Sequence, residues 1–228
     1  MTSAAANSLE NHWLPFTANR DFKADPRLLV RAEGVYYWNH KGGRLIDGSA
    51  GLFCCAAGHG RREIAGAVHR SMMEIDYTPH FQVAHPASFQ LARRIAKLMP
   101  GDLDYVFFCN SGSESVDTAI KIALAYHRAQ GEGQRQRFVS RERVNIGGVS
   151  LSGMVRNRET FGAVMPGVAH MRHTWLAENR YTVGQPEIGA ELAEDLQRFV
   201  DLYGAGTIAA CFVEPIAGST GVLVPPKG

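Results

Sequence analysis

The chain has 228 residues, of which 24 are basic and 22 acidic, for a formal charge of +2, and 45% are apolar. That length suits one large domain or a domain and a half, and the composition is that of a folded globular protein, not a disordered one. The near-neutral balance gives no electrostatic ground for nucleic-acid binding, because the densest basic group (Arg135, Arg137, Arg141, Arg143) reads as a solvated loop.

Residues 1–11 read as a polar leader without the apolar core of a signal peptide. No run is long enough to span a membrane, so a cytoplasmic location is expected. The segments 34–38 and 44–47 flank a glycine turn at 40–43 and predict a β-hairpin. A helix is predicted over 61–75, with Ile64, Val68 and Met72 on one face, and a second from Pro86 to about residue 99, with Phe89, Ala92 and Ile95 inward. Pro100 and Gly101 stop it. An apolar strand at 105–109 then leads through a turn of small residues into a helix over 113–128, patterned by Val116, Ile120 and Leu124. Short strands follow at 137–140 and 168–171, then a helix over 188–203 with Leu192, Leu196 and Phe199, then a buried strand at 207–213. This alternation predicts an α/β fold with a mostly parallel sheet and helices on both faces. Ligands of such sheets sit beyond the carboxyl ends of the strands.

Two features fall at those ends. Ser111-Gly112-Ser113 joins a strand to a helix, where unpaired backbone N–H groups and the positive end of the helix dipole favour an anion such as a phosphate ester. Gly112 removes the Cβ that would hold the phosphate away, and Ser113 with Glu114 supplies cap-type oxygen and negative charge. The competing reading is an ordinary strand-to-helix turn. Glu214, directly after the 207–213 strand, is the second feature, and it either serves a site or caps the turn that follows.

The histidines say less. His170-x-x-His173 lacks a third ligand and does not make a metal site, and His59 reads as a loop contact. Cys54, Cys55, Cys109 and Cys211 read as small buried hydrophobes of a reducing compartment, with no C-x-x-C spacing. Neither a G-x-G-x-x-G fingerprint nor a Walker-type loop is present, which argues against a nucleotide-binding module.

Five segments in order carry a resemblance: 13–20 (WLPFTANR), 47–52 (DGSAGL), 58–61 (GHGR), 110–114 (NSGSE) and 213–215 (VEP). Together they resemble the N-terminal half of class III aminotransferases dependent on pyridoxal phosphate, in particular the ω-amino acid–pyruvate group typified by β-alanine–pyruvate aminotransferase. The resemblance implies fold type I, with residues 1–60 contributing to a small domain and dimer interface and 61–228 forming an incomplete large domain. It implies a homodimer that moves an amino group from an ω-amino acid or amine to pyruvate. By position, Ser111, Gly112, Ser113 and Glu214 would bind the cofactor, and Phe53 and Phe81 would contact substrate, Phe81 in a segment reaching the neighbouring subunit.

The resemblance also marks two departures. None of the lysines (Lys23, Lys41, Lys97, Lys121, Lys227) occupies the family's Schiff-base motif, which lies later in a chain about twice as long, as does its aspartate for the pyridine nitrogen. Arg141-Glu142-Arg143 joins Val144-Asn145 directly, without the Gly-Tyr-His-Gly segment whose aromatic ring stacks on the cofactor. Losing that stacking removes on the order of 1 kcal/mol. These 228 residues alone are therefore expected to be inactive and poorly soluble. The alternative expectation is a non-catalytic remnant with at most a weak phosphate or dimerisation site.

Overall fold

The computed structural model describes residues 9–147, 150–162 and 165–228. Most of the expected 1–11 leader lies outside them. The chain divides into two compact units, Met1–Gly101 and Asp102–Gly228.

In the first unit the Asn19 side chain gathers the preceding segment. Its Oδ1 accepts from Leu14 N, and its Nδ2 donates to Leu14 O and Thr17 O, before α1 (Asn19–Ala24) begins. An antiparallel sheet follows in the order β1 (Leu29–Glu33), β2 (Tyr36–Asn39), β3 (Arg44–Ile46). The expected hairpin is β2–β3, and Asn39 Oδ1 closes its turn by accepting from Lys41 N and Gly43 N at 3.0 and 2.8 Å. The first strand of this sheet carries no turn signal of its own and was not foreseen.

Two helices complete the unit, α2 (Arg62–Glu74) and α3 (Pro86–Ala96). His85 caps the second through Nδ1, which accepts from Ala87 N at 3.1 Å, with Pro86 in the first turn. Both helices are amphipathic as their spacing predicts, yet neither has a buried residue. Ile64, Val68, Met72 and Phe89 are all more than half exposed. The apolar stripe is a property of sequence; its burial needs a partner surface, which the described residues of this unit do not supply.

The loop 47–60 is the most constrained part of this unit. Ala50, Gly51, Leu52 and Phe53 all have left-handed backbone (φ 49°, 59°, 55° and 69°). For the three that are not glycine this costs about 1–2 kcal/mol each. Against that cost stands Asp47, whose carboxylate accepts from Ser49 N and Oγ, Gly51 N (2.8 Å) and His59 Nε2 (2.8 Å). His59 is held in turn by the backbone of Gly34 in both directions and by the Tyr37 ring, 4.5 Å between centroids. The hydrogen bond from His59 holds the Asp47 carboxyl below the usual range.

The second unit has the expected α/β plan: α4 (Gly112–Ala129), β4 (Arg137–Arg141), α5 (Val155–Phe161), β5 (Val168–Met171), α6 (Asp195–Tyr203) and β6 (Ile208–Cys211). The sheet is parallel in the order β5-β4-β6, with Phe138 opposite both Val168 and Ala210. Alternation along the central strand sends Phe138 to one face, with Ile120 of α4 and Leu151, and Val139 to the other, with Met171 and Phe199 of α6. Helices thus cover both faces. The helix expected over 188–203 opens as a 3₁₀ turn, Ala190–Glu194, before α6.

One expected strand is absent. Residues 105–109 are not in a ladder, and Tyr105 (99%) and Phe107 (71%) face solvent. An extended apolar run becomes a strand only when another edge pairs with it, and no described segment does. Cys54 and Cys211 are exposed, not buried as expected. Among the described residues no helix is long and apolar enough to cross a membrane.

Asp195 fastens α6 over the sheet. It is buried, and it takes a two-pronged contact from the Arg172 guanidinium (2.9–3.1 Å) as well as Arg172 N at 2.7 Å. The hydrogen bonds from Arg172 hold its carboxyl below the usual value. A depressed carboxyl stabilises the fold above its unfolded pKa of about 3.9, and that stabilisation is lost as pH falls through the lower folded value. Asp195→Ala is expected to lower stability by about 2 kcal/mol at neutral pH, with the difference from the parent shrinking in strong acid, as read by denaturant titration at several pH values.

Candidate functional site

The start of α4 is built by a reciprocal pair of hydrogen bonds. Ser111 is extended (φ −147°, ψ 160°), and its Oγ accepts from Glu114 N at 3.2 Å. Glu114 Oε2 reaches back to accept from Asn110 N at 2.9 Å. This is a variant of the capping box, in which the glutamate reaches the N–H of the residue before the cap instead of that of the cap itself. The cap is therefore Ser111, and the expectation that Ser113 supplies the cap oxygen is corrected: the extended backbone of Ser111 places its hydroxyl over the third helical N–H. Ser115 N makes the first helical bond, to Ser111 O. The N–H groups of Gly112 and Ser113 have no partner among the described residues, and they lie at the positive end of an 18-residue helix.

Glu214 comes to the same place from the sheet. The edge strand β6 ends at Cys211, and Phe212 N still donates to Val139 O of β4 at 2.8 Å, so the chain leaves the sheet at its carboxyl end. Glu214 Oε1 accepts from Gly218 N at 3.0 Å, which is the capping role weighed in the sequence. Its Oε2 is buried and has no hydrogen-bond partner among the described residues. A buried carboxylate oxygen without a donor is costly, and in a folded protein it marks a place where a donor belongs.

Ser111, Gly112, Ser113 and Glu214 line one cleft of about 510 Å³. Its remaining walls are apolar (Val116, Ile146, Phe212, Val213), completed by Asn145 and Gly147. The cleft therefore offers anion-binding N–H groups at one side, an acceptor at another, and apolar surface between. A Cβ built on Gly112 would meet nothing within 4 Å, so the space over the helix start is open.

Sequence reasoning missed Asn145, Ile146 and Gly147. They reach the cleft because the chain after β4 turns back sharply: Arg143 N donates to Gly153 O and Gly153 N to Val144 O, with Val144, Leu151 and Ser152 buried beneath. At Gly147 (φ 65°) a Cβ would stand 2.6 Å from Val116 Cγ1, so only glycine lets this turn lie against α4. The Gly147-Gly148 pair was the available signal.

Phe53 and Phe81 belong to the Met1–Gly101 unit, whereas every residue lining this cleft comes from Asp102–Gly228. Both rings are exposed, at 72% and 85%. His170 does not pair with His173. Its Nε2 donates to Leu151 O and its Nδ1 accepts from Arg158, while His173 Nδ1 accepts from Trp175 N. Burial lowers the pKa of both histidines.

The class-III aminotransferase family model matches residues 17–228. The chain is 50% identical over 233 residues to an omega-aminotransferase of Caulobacter vibrioides, covering 100% of this chain and 53% of that protein. It is 48% identical over 230 residues to the omega-amino acid–pyruvate aminotransferase of Pseudomonas putida, covering 99% of this chain and 51% of that one. The structure superposes on a pyridoxal phosphate-bound amine transaminase from an uncultivated Pseudomonas species with a TM-score of 0.84 at 30% identity, over 96% of this chain and 51% of the other. The chain thus spans about half the length of the relatives it matches.

If the capping box builds the helix start, Ser111→Ala should cost about 1 kcal/mol of stability, read by denaturant unfolding, with Glu114→Ala costing less.

Proposed function

The chain belongs to the class-III aminotransferases, and from that premise we propose that it forms the phosphate-gripping part of a pyridoxal phosphate enzyme that moves an amino group from an ω-amino acid or amine to pyruvate. The observation that carries this reading is the meeting, in one cleft, of the unpaired N–H groups at the start of α4 with the unpaired buried oxygen of Glu214.

The cleft suits the cofactor on its own chemistry. The N–H groups of Gly112 and Ser113, with the Ser111 and Ser113 hydroxyls nearby, match a phosphate monoester. Val116, Ile146 and Val213 supply apolar surface for an aromatic ring. Glu214 Oε2 would accept a hydrogen bond from a donor on the bound group or on a polar neighbour. When bound, pyridoxal phosphate supplies the carbonyl that captures the amine and the ring that takes up its electrons. What these residues contribute is binding, orientation and a fixed acceptor.

The remaining parts of the proposal rest on family position. Phe53 and Phe81 shape the substrate pocket, the whole enzyme is a cytoplasmic homodimer, and Phe81 serves the neighbouring subunit's site. No lysine here holds the Schiff-base role, so these 228 residues by themselves bind without turning over.

Two measurements test this. Gly112→Asp places a carboxylate in open space over the cradle, where a helix start welcomes it structurally but a phosphate does not. Binding of 4′-deoxypyridoxine 5′-phosphate, followed by calorimetry, should weaken about tenfold or more while the melting temperature holds. A parent chain that prefers an adenine nucleotide to this ligand would overturn the reading. Incubation with pyridoxal phosphate, borohydride reduction and peptide mass analysis should give neither turnover nor a single labelled lysine.

A further inference from the structure

We propose that His127, which no step above uses, is a positioning residue that sets the spacing between the 111–113 cradle and Glu214. The proposal rests on the cofactor reading just given.

His127 lies in the last turn of α4, at the opposite end from the cradle, with its side chain only 14% exposed. Its Nε2 is 2.8 Å from Ala209 O, a contact between residues 82 apart in sequence. A carbonyl oxygen can only accept, so Nε2 carries the proton and donates. The register of β6 against β4 slips at Ala209, between the Arg137–Ile208 and Phe138–Ala210 pairs, so Ala209 has no partner residue in the ladder. The imidazole supplies a donor to the carbonyl of this unpaired residue. It ties the far end of α4 directly to β6, the strand that leads into Glu214.

The rest of the contact between this helix and the sheet is apolar, made by Val116, Ile120, Ala123 and Leu124. Apolar contact is non-directional and resists separation far more than sliding. A hydrogen bond depends on distance and angle, so it resists sliding. His127 is 14 residues past Ser113, about 21 Å along the helix, and a helix of that length passes an axial shift at one end to the other. Arg135 braces the same corner by donating to Glu132, Ala205 O and Ile208 O, while Glu132 Oε2 lies 3.4 Å from His127 Nδ1 without hydrogen-bonding it. Axial position of α4 against β6 changes the gap between cradle and Glu214 without unmaking either.

The test compares a ligand that needs only the cradle, inorganic phosphate, with one that spans cleft and cradle, 4′-deoxypyridoxine 5′-phosphate, which cannot form a Schiff base. In the full 228-residue chain, His127→Ala should weaken the spanning ligand about fivefold and leave inorganic phosphate unchanged. His127→Gln, whose amide N–H sits near the position of Nε2, should restore it. Should His127→Ala fail to fold, His127→Asn, too short to reach Ala209, takes its place under the same outcomes. Equal weakening of both ligands would reduce His127 to a general structural role and overturn the proposal, as would no weakening of either. A parent chain that binds neither ligand would overturn the cradle itself, and the tether's purpose with it.

Discussion

The parallel pairing of β4 with β6 is the constraint from which the cleft follows. Parallel strands end on the same side, so the chain leaving β6 and the chain leaving β4 emerge together, and the Phe212 N to Val139 O bond carries that pairing one residue past the strand. Glu214 and the 145–147 turn are consequences of that geometry. The helix α4 packs across the same face through Ile120 against Phe138, and its start then has only one place to lie. Weak elements placed by strong ones are the rule here. Neither the capping box nor Glu214 has much intrinsic rigidity, but both hang from a strand buried on both faces.

The Met1–Gly101 unit shows a different balance. It has almost no buried apolar surface, so its best-defined feature is held by polar chemistry instead. Three left-handed non-glycine residues in the 50–53 turn cost together several kcal/mol, by about 1–2 each. Asp47 opposes that with hydrogen bonds from Ser49, Gly51 and His59, and a charged acceptor makes each of these stronger than a neutral pair. Strain kept in place by a dedicated, nearly buried carboxylate is characteristic of segments that must present a side chain in a fixed attitude. Leu52 and Phe53 are the side chains so presented.

How far the sequence disclosed this depends on range. Elements defined by local signals were legible: the glycine turn of the hairpin, Pro86 opening α3, the apolar spacing of α4, and the β5 segment all lie where their residues predict. Elements defined by a partner were not. The apolar run 105–109 has every intrinsic mark of a strand and is none, because pairing is a property of two segments. The stripes of α2 and α3 likewise predicted faces that nothing described here covers. In the site, the 111–113 turn and Glu214 could be named from position after a strand. The identity of the cap could not, since Ser111 and Ser113 differ only in backbone angles. His127 gave no signal at all, because its partner is a backbone carbonyl 82 residues away.

The turn after β4 combines strained backbone with a wall of the cleft. Arg143 adopts a left-handed conformation (φ 62°) so that the chain can reverse at once, and Val144, Leu151 and Ser152 are driven fully inside by the reversal. A longer connection could rise away from the sheet and set a side chain over the cleft from outside. This one is too short to do so, and its next residues, Asn145 and Ile146, become the wall themselves. Where the family resemblance leads one to expect an aromatic ring from this turn, the turn itself, in a cleft that Phe212 also lines, offers an aliphatic contact from Ile146. It keeps dispersion and water exclusion but gives up the directional preference of ring on ring. The N–H groups at the start of α4 and the Glu214 carboxylate are polar anchors for orienting a bound ring, with Asn145 beside them. That places unusual weight on the gap between the start of α4 and Glu214, which is the quantity the bond from His127 to Ala209 holds constant.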